Sequence, residues 1–201
     1  MAGAIEAAWF LGFSFFLGAL RAGYDPTSDA ISRLGEQGSA SPLVWNVGGF
    51  GVSAVLYAVY ALGIADKFGA GWLSFATFLQ AVTLAGSAAF SCDNGCPPMA
   101  TSTMGTLHTV FGLPYFATTC LIPFVAAWTF RRRDAWRSEV RVALAVGTVL
   151  VVLFFVGPMI GADRVGLWQR VVLVPALAWQ AWISVRLYRS AALILETAPA
   201  P

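Results

Sequence analysis

Residues 21–42, RAGYDPTSDAISRLGEQGSASP, form the longest polar segment of a chain that is otherwise mostly apolar. Within this segment, Asp25 followed by Pro26 is typical of a helix N-cap and the first helical position. Gly35 is typical of the left-handed residue just beyond a helix end. The pattern therefore predicts a short helix over residues 26–34, around which the apolar segments are arranged.

The predicted short helix is amphipathic. Residues three, four or seven positions apart share a helix face, which makes one face polar and gathers there Asp25, Asp29, Ser32 and Arg33. Such a helix lies at a water–lipid boundary, or folds over a helical bundle as a lid, with Asp29 and Arg33 paired. A solvated loop helix held by the same ion pair is the structural alternative.

The composition is that of an integral membrane protein. Hydrophobic residues make up 58% of the 201 residues and charged residues 11%, against roughly a quarter charged in soluble domains. A membrane core takes about 20 apolar residues per helix, so six spans are predicted, at residues 4–20, 43–64, 69–91, 105–130, 142–162 and 165–185. We expect an all-α, polytopic six-transmembrane-helix bundle with the short amphipathic helix between helices 1 and 2. Residues 1–190 form its single transmembrane domain and residues 191–201 a C-terminal tail.

The distribution of basic residues predicts the orientation, because cytoplasmic loops carry an excess of Lys and Arg. With the N-terminus inside, eight basic residues fall on the inner side and four on the outer side, the latter being Arg21, Arg33, Arg164 and Arg170. We expect a cell (inner) membrane protein with cytoplasmic N- and C-termini and residues 21–42 outside. The basic run at 131–141 is typical of contact with anionic lipid headgroups, so no nucleic-acid partner is expected.

Cys92 and Cys96 flank an Asn-Gly turn in the loop after the third predicted helix. Because this loop is assigned to the oxidising outer side, a disulfide between them is the leading interpretation. Zinc bound by these cysteines with Asp93 and His108 is the alternative, although C-x3-C with one distant histidine matches structural zinc sites poorly. We expect no metal and no cofactor.

Several polar residues lie near the outer ends of the predicted helices. Arg170 lies about one turn inside the last span, where a guanidinium requires a carboxylate or an anionic ligand as partner. Glu6, near the inner end of the first span, is expected to reach water. We therefore predict a pocket beneath the outer surface. Its candidate catalytic residues are His108, Asp93, Asp29 and Asp25, and its candidate substrate-binding residues are Arg33, Asn46, Tyr115, Gln169 and Arg170.

Four sequence elements together carry a family resemblance. They are Y-D-P-x-x-D-x-I-S-x-L-G at residues 24–35, C-D-x-x-C at 92–96, His108, and G-L-x-Q-R at 166–170. As a set they resemble a bacterial and archaeal membrane family known as domain of unknown function 998. The resemblance covers nearly the whole chain, implies about six helices, and leaves the activity open.

The sequence favours two functions over a purely structural role. The first is acid–base chemistry on a membrane-dissolved lipid or isoprenoid, by hydrolysis or by protonation-initiated cyclisation, with His108 exchanging a proton with Asp93 or Asp29. The alternative is a non-catalytic lipid-binding or transport protein in which the same Asp/His/Arg cluster recognises a headgroup. The sequence holds no P-loop, H-E-x-x-H or G-x-S-x-G motif, so it does not match the enzyme classes that these motifs mark.

Overall fold

Six long helices make up most of the structure, a computed structural model that describes the backbone of residues 1–197 and the side chains of residues 1–191 other than 158, 160 and 162. The helices are α1 (Ala2–Leu20), α2 (Pro42–Phe68), α3 (Trp72–Ala89), α4 (Thr103–Phe130), α5 (Glu139–Ile160) and α6 (Val165–Thr197). Within the described part of the chain, these are the six helices long and apolar enough to cross a membrane. The prediction of a multi-pass, all-helical membrane protein is confirmed.

The six helices form a closed ring. Each helix packs against the next in sequence, and α6 returns to pack against α1. Since consecutive spans alternate in direction, residues 21–41, 90–102 and 161–164 lie at one end of the ring, which we call the capped end. Residues 69–71 and 131–138 lie at the opposite end.

Apolar side chains cover the outside of the ring. Among the large residues more than half exposed are Phe16, Leu62, Phe155 and Trp182. Water would disfavour an apolar surface of this extent, whereas the hydrocarbon of a bilayer does not. The inside is filled by aromatic side chains, with Phe10, Trp45 and Tyr57 almost fully buried.

The short helix between α1 and α2 is shorter than predicted. It is a 3-10 helix at Ile31–Gly35, and residues 26–28 form a turn instead of helix. In that turn the Thr27 N–H donates to Asp25 Oδ1 (2.9 Å). The predicted helix start at Pro26 was therefore wrong.

Contacts with α6 explain this difference. In an α-helix the carbonyls of Pro26 and Thr27 would accept hydrogen bonds from N–H groups four residues later. Here Thr27 O accepts from the Leu167 N–H (2.8 Å) and Pro26 O accepts from Arg170 (2.8 Å). The start of α6 thus takes the acceptors that a local helix would have used.

The helix ends otherwise lie within a few residues of those predicted, except in α6. This helix continues to Thr197 and so includes part of the segment predicted as a C-terminal tail, of which residues 198–201 lie outside the described residues. Near the start of α2, residues Asn46–Gly51 form a π-helical turn. Such turns are frequent at functional sites.

Candidate functional site

A cavity of about 250 Å³ lies inside the ring, towards the capped end. Its walls are mainly apolar and aromatic, and its polar lining includes three of the residues predicted for a pocket: His108, Tyr115 and Gln169. One aromatic wall spans α4 and α6, where the rings of Phe116 and Trp168 stack with centroids 5.4 Å apart. Tyr115 lies deepest of the three in the span, near the middle of α4.

Two segments of the capped end form the roof of the cavity. The first is the cap segment, residues 24–36, which contributes Ala30, Ile31 and Ser32. The second is the loop that contains Cys92 and Cys96, which lie at disulfide distance with Cα atoms 5.2 Å apart. Because the two cysteines are 4 residues apart in the same turn, a disulfide between them would fix the shape of that turn.

The cavity reaches the outer surface of the ring at α4. Leu113 lines the cavity and is also 58% exposed. It lies about 15 Å along the axis from the start of α4, at 1.5 Å per residue. Pro97 and Pro98 of the cysteine loop also line the cavity and are exposed, so the opening runs along α4 from the capped end down to the depth of Leu113 in the membrane span.

His108 is held in one orientation by the backbone. Its Nδ1 lies 2.7 Å from Phe90 O, and its ring packs beside that of Phe50. Since a carbonyl oxygen can only accept, Nδ1 carries the proton, and in the neutral ring Nε2 is the acceptor. No described hydrogen bond or ion pair joins His108 to a carboxylate, so the predicted exchange with Asp93 or Asp29 has no direct contact in this structure.

Asp93 instead organises the start of α4. Its carboxylate accepts hydrogen bonds from the backbone N–H groups of Thr101 (2.6 Å) and Ser102 (3.2 Å), from both of their hydroxyls, and from Gln37 (3.0 Å). The Ser102 hydroxyl and the Thr101 N–H lower the pKa of Asp93 to about 2. An anionic acceptor also suits the N-terminal end of a helix. The side chain is an ionised structural anchor.

This arrangement predicts a pH dependence of stability. Asp93 has its pKa lowered from 3.8 to about 2 on folding, so its contribution is fully present above about pH 4 and is lost as the pH falls towards about 2. We expect the unfolding temperature to fall over this interval more steeply for the wild type than for Asp93→Asn. Thermal unfolding in detergent across the interval measures this. Parallel profiles for the two proteins would contradict it.

The charged residues of the cap segment pair with one another. Arg33 pairs with Asp29, as predicted from their spacing, and its Nε also lies 3.7 Å from Glu36 Oε2. Arg21 pairs with Glu36, a nearly buried carboxylate that the sequence interpretation did not single out. Asp25 accepts from Thr27 within its own turn. Arg33 and Asp29 are thus engaged with each other and not with the cavity.

Arg170 finds its partners in backbone carbonyls. The side chain is 7% exposed, and its Nη1 donates to Pro26 O (2.8 Å) and Gly166 O (3.0 Å), while Nη2 donates to Tyr24 Oη (2.8 Å). The sequence analysis predicted a carboxylate or an anionic ligand as the partner of this guanidinium. In the structure its partners are neutral oxygens of the cap segment and of α6. Arg170 therefore holds the cap segment against α6.

Gln169 and Asn46 hold the roof from two sides. Gln169 Oε1 accepts from the Ile31 N–H (2.7 Å), while the same side chain lines the cavity. Asn46, in the π-helical turn of α2, donates from Nδ2 to Gly35 O (3.0 Å) and Ser91 Oγ (2.7 Å). Of these two residues predicted to bind substrate, only Gln169 faces the cavity.

Glu6 lies deep inside the ring and was misjudged from the sequence. Its side chain is 0% exposed, and Gln180 Nε2 donates to its Oε2 (2.7 Å). The expectation that it reaches water was wrong, because α2, α4 and α6 surround this part of α1. A signal existed in the sequence, since a carboxylate in an apolar run calls for a partner and Gln180 is a polar residue in the last span.

Comparison with known families matches residues 4–186 to the family described as "Protein of unknown function (DUF998)". No curated protein and no solved structure matches the chain. The family match leaves out only the first three residues and the last fifteen, and it includes the cap segment, the cysteine loop, His108 and the start of α6. It confirms the resemblance found in the sequence. The chain therefore belongs to the DUF998 family of membrane proteins.

Proposed function

We propose that this protein binds one membrane-dissolved amphiphile, a lipid or isoprenoid with a small neutral polar end, in the cavity beneath the cap segment. The proposal rests on one observation: the cavity has apolar and aromatic walls and reaches the surface of the ring beside Leu113, within the membrane-spanning part of α4. Ligand sites are typically of this kind, with few polar groups fixing orientation. A molecule dissolved in the bilayer can reach such an opening without crossing water.

The size of the cavity limits what it holds. A volume of about 250 Å³ is slightly below the 300–1,000 Å³ that is common for pockets holding whole drug-sized ligands. The cavity therefore fits the polar end and the first part of a chain, and the remainder of the ligand lies along the lipid-facing surface near Leu113.

The polar lining favours a neutral end group such as a hydroxyl. Neutral His108 offers an acceptor at Nε2, and Gln169 keeps its amide N–H donors because its oxygen is taken by Ile31. Tyr115 Oη is buried and has no described hydrogen-bond partner. The nearby arginines Arg33 and Arg170 are engaged elsewhere, which disfavours a phosphate headgroup.

Acid–base catalysis is the second candidate. It is favoured by one observation, the contact of His108 Nδ1 with Phe90 O, which fixes the ring and leaves Nε2 as a base towards a bound hydroxyl. In this version His108 acts without a carboxylate partner. Loss of turnover with retained binding in His108→Gln would support catalysis over binding alone.

Filling the cavity tests the proposal. Gly112 lines the cavity and has open space where a Cβ would lie, so Gly112→Phe should occupy the ligand site without backbone overlap. We expect photolabelling by a diazirine analogue of an isoprenoid alcohol to fall about tenfold, equivalent to about 1.4 kcal/mol of binding free energy. Mass spectrometry of the labelled protein measures this.

Gly12→Phe is the matched control, because Gly12 also has open space but lies exposed on α1, away from the cavity. Its labelling should equal that of the wild type. Equal labelling of both variants would contradict the proposal, since it would place the probe on the general lipid-facing surface.

We also infer that the capped end faces away from the cytoplasm, in a cell membrane. Support comes from the basic residues, eight of which lie in the segments of the opposite end or in the helix ends beside them, including Arg131, Arg132 and Arg133. Labelling of cysteines introduced at each end, from one side of sealed vesicles, tests the orientation. The inference would be overturned if cysteines at the capped end were labelled from the cytoplasmic side and cysteines at the opposite end from the other side.

A further inference from the structure

A second polar centre lies in the middle of the ring, beneath the floor of the cavity. Glu6 of α1 is fully buried there, beside Ser53 of α2 and Gln180 of α6. Tyr115 of α4 faces both the cavity and this centre, and its ring meets that of Tyr57 edge-on with centroids 6.3 Å apart. Four helices of the ring thus bring polar side chains to one place, near the middle of the 28-residue α4.

Three oxygens of this centre make no hydrogen bond of normal geometry among the described residues, although Ser53 lies beside the Glu6 carboxyl and Tyr57 lies beside the Tyr115 hydroxyl. They are Glu6 Oε1, Ser53 Oγ and Tyr115 Oη, each shielded from solvent. Buried polar atoms are normally paired, because an unpaired one costs the free energy of its lost hydration. The other carboxyl oxygen is satisfied, since Gln180 Nε2 donates to it and also to Gly3 O (3.0 Å). Glu6 Oε1 is therefore a fully buried acceptor without a donor, and a small species bound to it would supply the missing partner.

The charge of this centre is also unbalanced. No salt bridge of the described side chains includes Glu6, and the titratable groups that face it from the neighbouring helices are tyrosines, at positions 57, 60 and 115. A carboxylate without a counter-charge is costly in the middle of a membrane protein. One positive charge on the carboxyl would remove this cost.

We propose that the Glu6 centre binds a single monovalent cation, H⁺ or Na⁺, on the Glu6 carboxyl, with the Ser53 and Tyr115 hydroxyls as further oxygen partners. Both cations neutralise one carboxylate, and oxygen atoms suit a hard cation. Tyr115 also lines the cavity, so its hydroxyl is the one group that the two proposed sites share.

Thermal unfolding in detergent tests the proposal and separates the two cations. For Na⁺, wild-type protein at alkaline pH should unfold about 5–10 °C higher in NaCl than in choline chloride of equal ionic strength, at a hundredfold excess over the Kd. For H⁺, the unfolding temperature should fall as the pH rises, without preference for Na⁺, because the folded state binds the extra proton. Glu6→Gln should lose whichever dependence the wild type shows.

The control is Asp66→Asn, which removes an exposed carboxylate from α2 and should keep the wild-type dependence. Equal dependence on pH and Na⁺ in wild type and Glu6→Gln would overturn the proposal. If Glu6→Gln does not fold, the test uses the wild-type protein instead. Carbodiimide modification of Glu6 is then measured by peptide mass spectrometry. Carbodiimides react with protonated carboxyls, so modification at neutral pH, well above the usual glutamate pKa of about 4.3, or modification that decreases with added Na⁺ supports the site. Absence of modification at neutral pH, with no effect of Na⁺, rejects it.

Discussion

Arg170→Met is expected to lower the free energy of unfolding by about 3–5 kcal/mol, because the variant removes the hydrogen bonds of one charged donor to three buried oxygens. The guanidinium is 7% exposed and donates to Pro26 O, Gly166 O and Tyr24 Oη. Hydrogen bonds from a charged donor contribute about 1.5–3 kcal/mol each, and the variant leaves these acceptors without it. Methionine keeps the apolar length of the side chain, so lost hydrogen bonds dominate the effect.

Thermal unfolding of purified protein in detergent measures this change, and a loss of this size corresponds to roughly 6–20 °C for a chain of this length. Arg164→Met is the matched control, because Arg164 is an exposed arginine six residues earlier in the chain. It should unfold near the wild-type temperature. An unchanged unfolding temperature in Arg170→Met would show that the cap segment is held by other contacts.

Gly166→Ala is expected to displace the cap segment from α6. A Cβ at this position would overlap Asp29 O and would lie 2.6 Å from Pro26 O, and both atoms belong to the backbone. A side-chain neighbour could rotate away, whereas backbone atoms move only with their whole segment. Overpacking costs about 1–3 kcal/mol, and the displacement also weakens the Leu167–Thr27 hydrogen bond.

Hydrogen exchange of residues 24–36 is the direct measurement, and we expect faster exchange there than in the wild type. The roof of the cavity moves with this segment, so labelling by the isoprenoid probe should fall as well. Gly12→Ala is the control, because an added Cβ meets nothing within 4 Å there. Wild-type exchange and labelling in Gly166→Ala would mean that the close contact between Gly166 and the cap segment is not maintained in the membrane.

Membrane architecture could be predicted from the sequence because it depends on local properties. The length and apolarity of a run decide whether it spans a bilayer, and both are present in the run itself. The Asp29–Arg33 pair was predicted for the same reason, since residues four apart meet within one turn whether or not the helix is complete. The positions of His108 and Gln169 near the capped ends of α4 and α6 likewise followed from counting turns.

The roles of the polar residues were predicted less well, and Asp93 and Arg170 show why. Arg170 was assigned to the pocket because an arginine is unusual inside a span, and Asp93 because its loop lies at the same end as His108. Their partners are backbone groups of distant segments, Thr101 and Ser102 for Asp93 and Pro26 for Arg170. Every residue has a backbone carbonyl and every residue except proline a backbone N–H, so such partners leave no signature in the sequence.

By itself, the sequence determined that the chain crosses the membrane six times, that it carries a polar cap segment after the first span, and that a cysteine pair lies near that end. Only the tertiary structure decided that the spans close into a ring, that the cap segment roofs a cavity lined by His108 but by none of the described carboxylates, and that Glu6 is buried in the middle of the ring. The physical reason is that hydrophobic length is fixed within one segment, whereas the depth and partners of a polar side chain depend on which helices surround it.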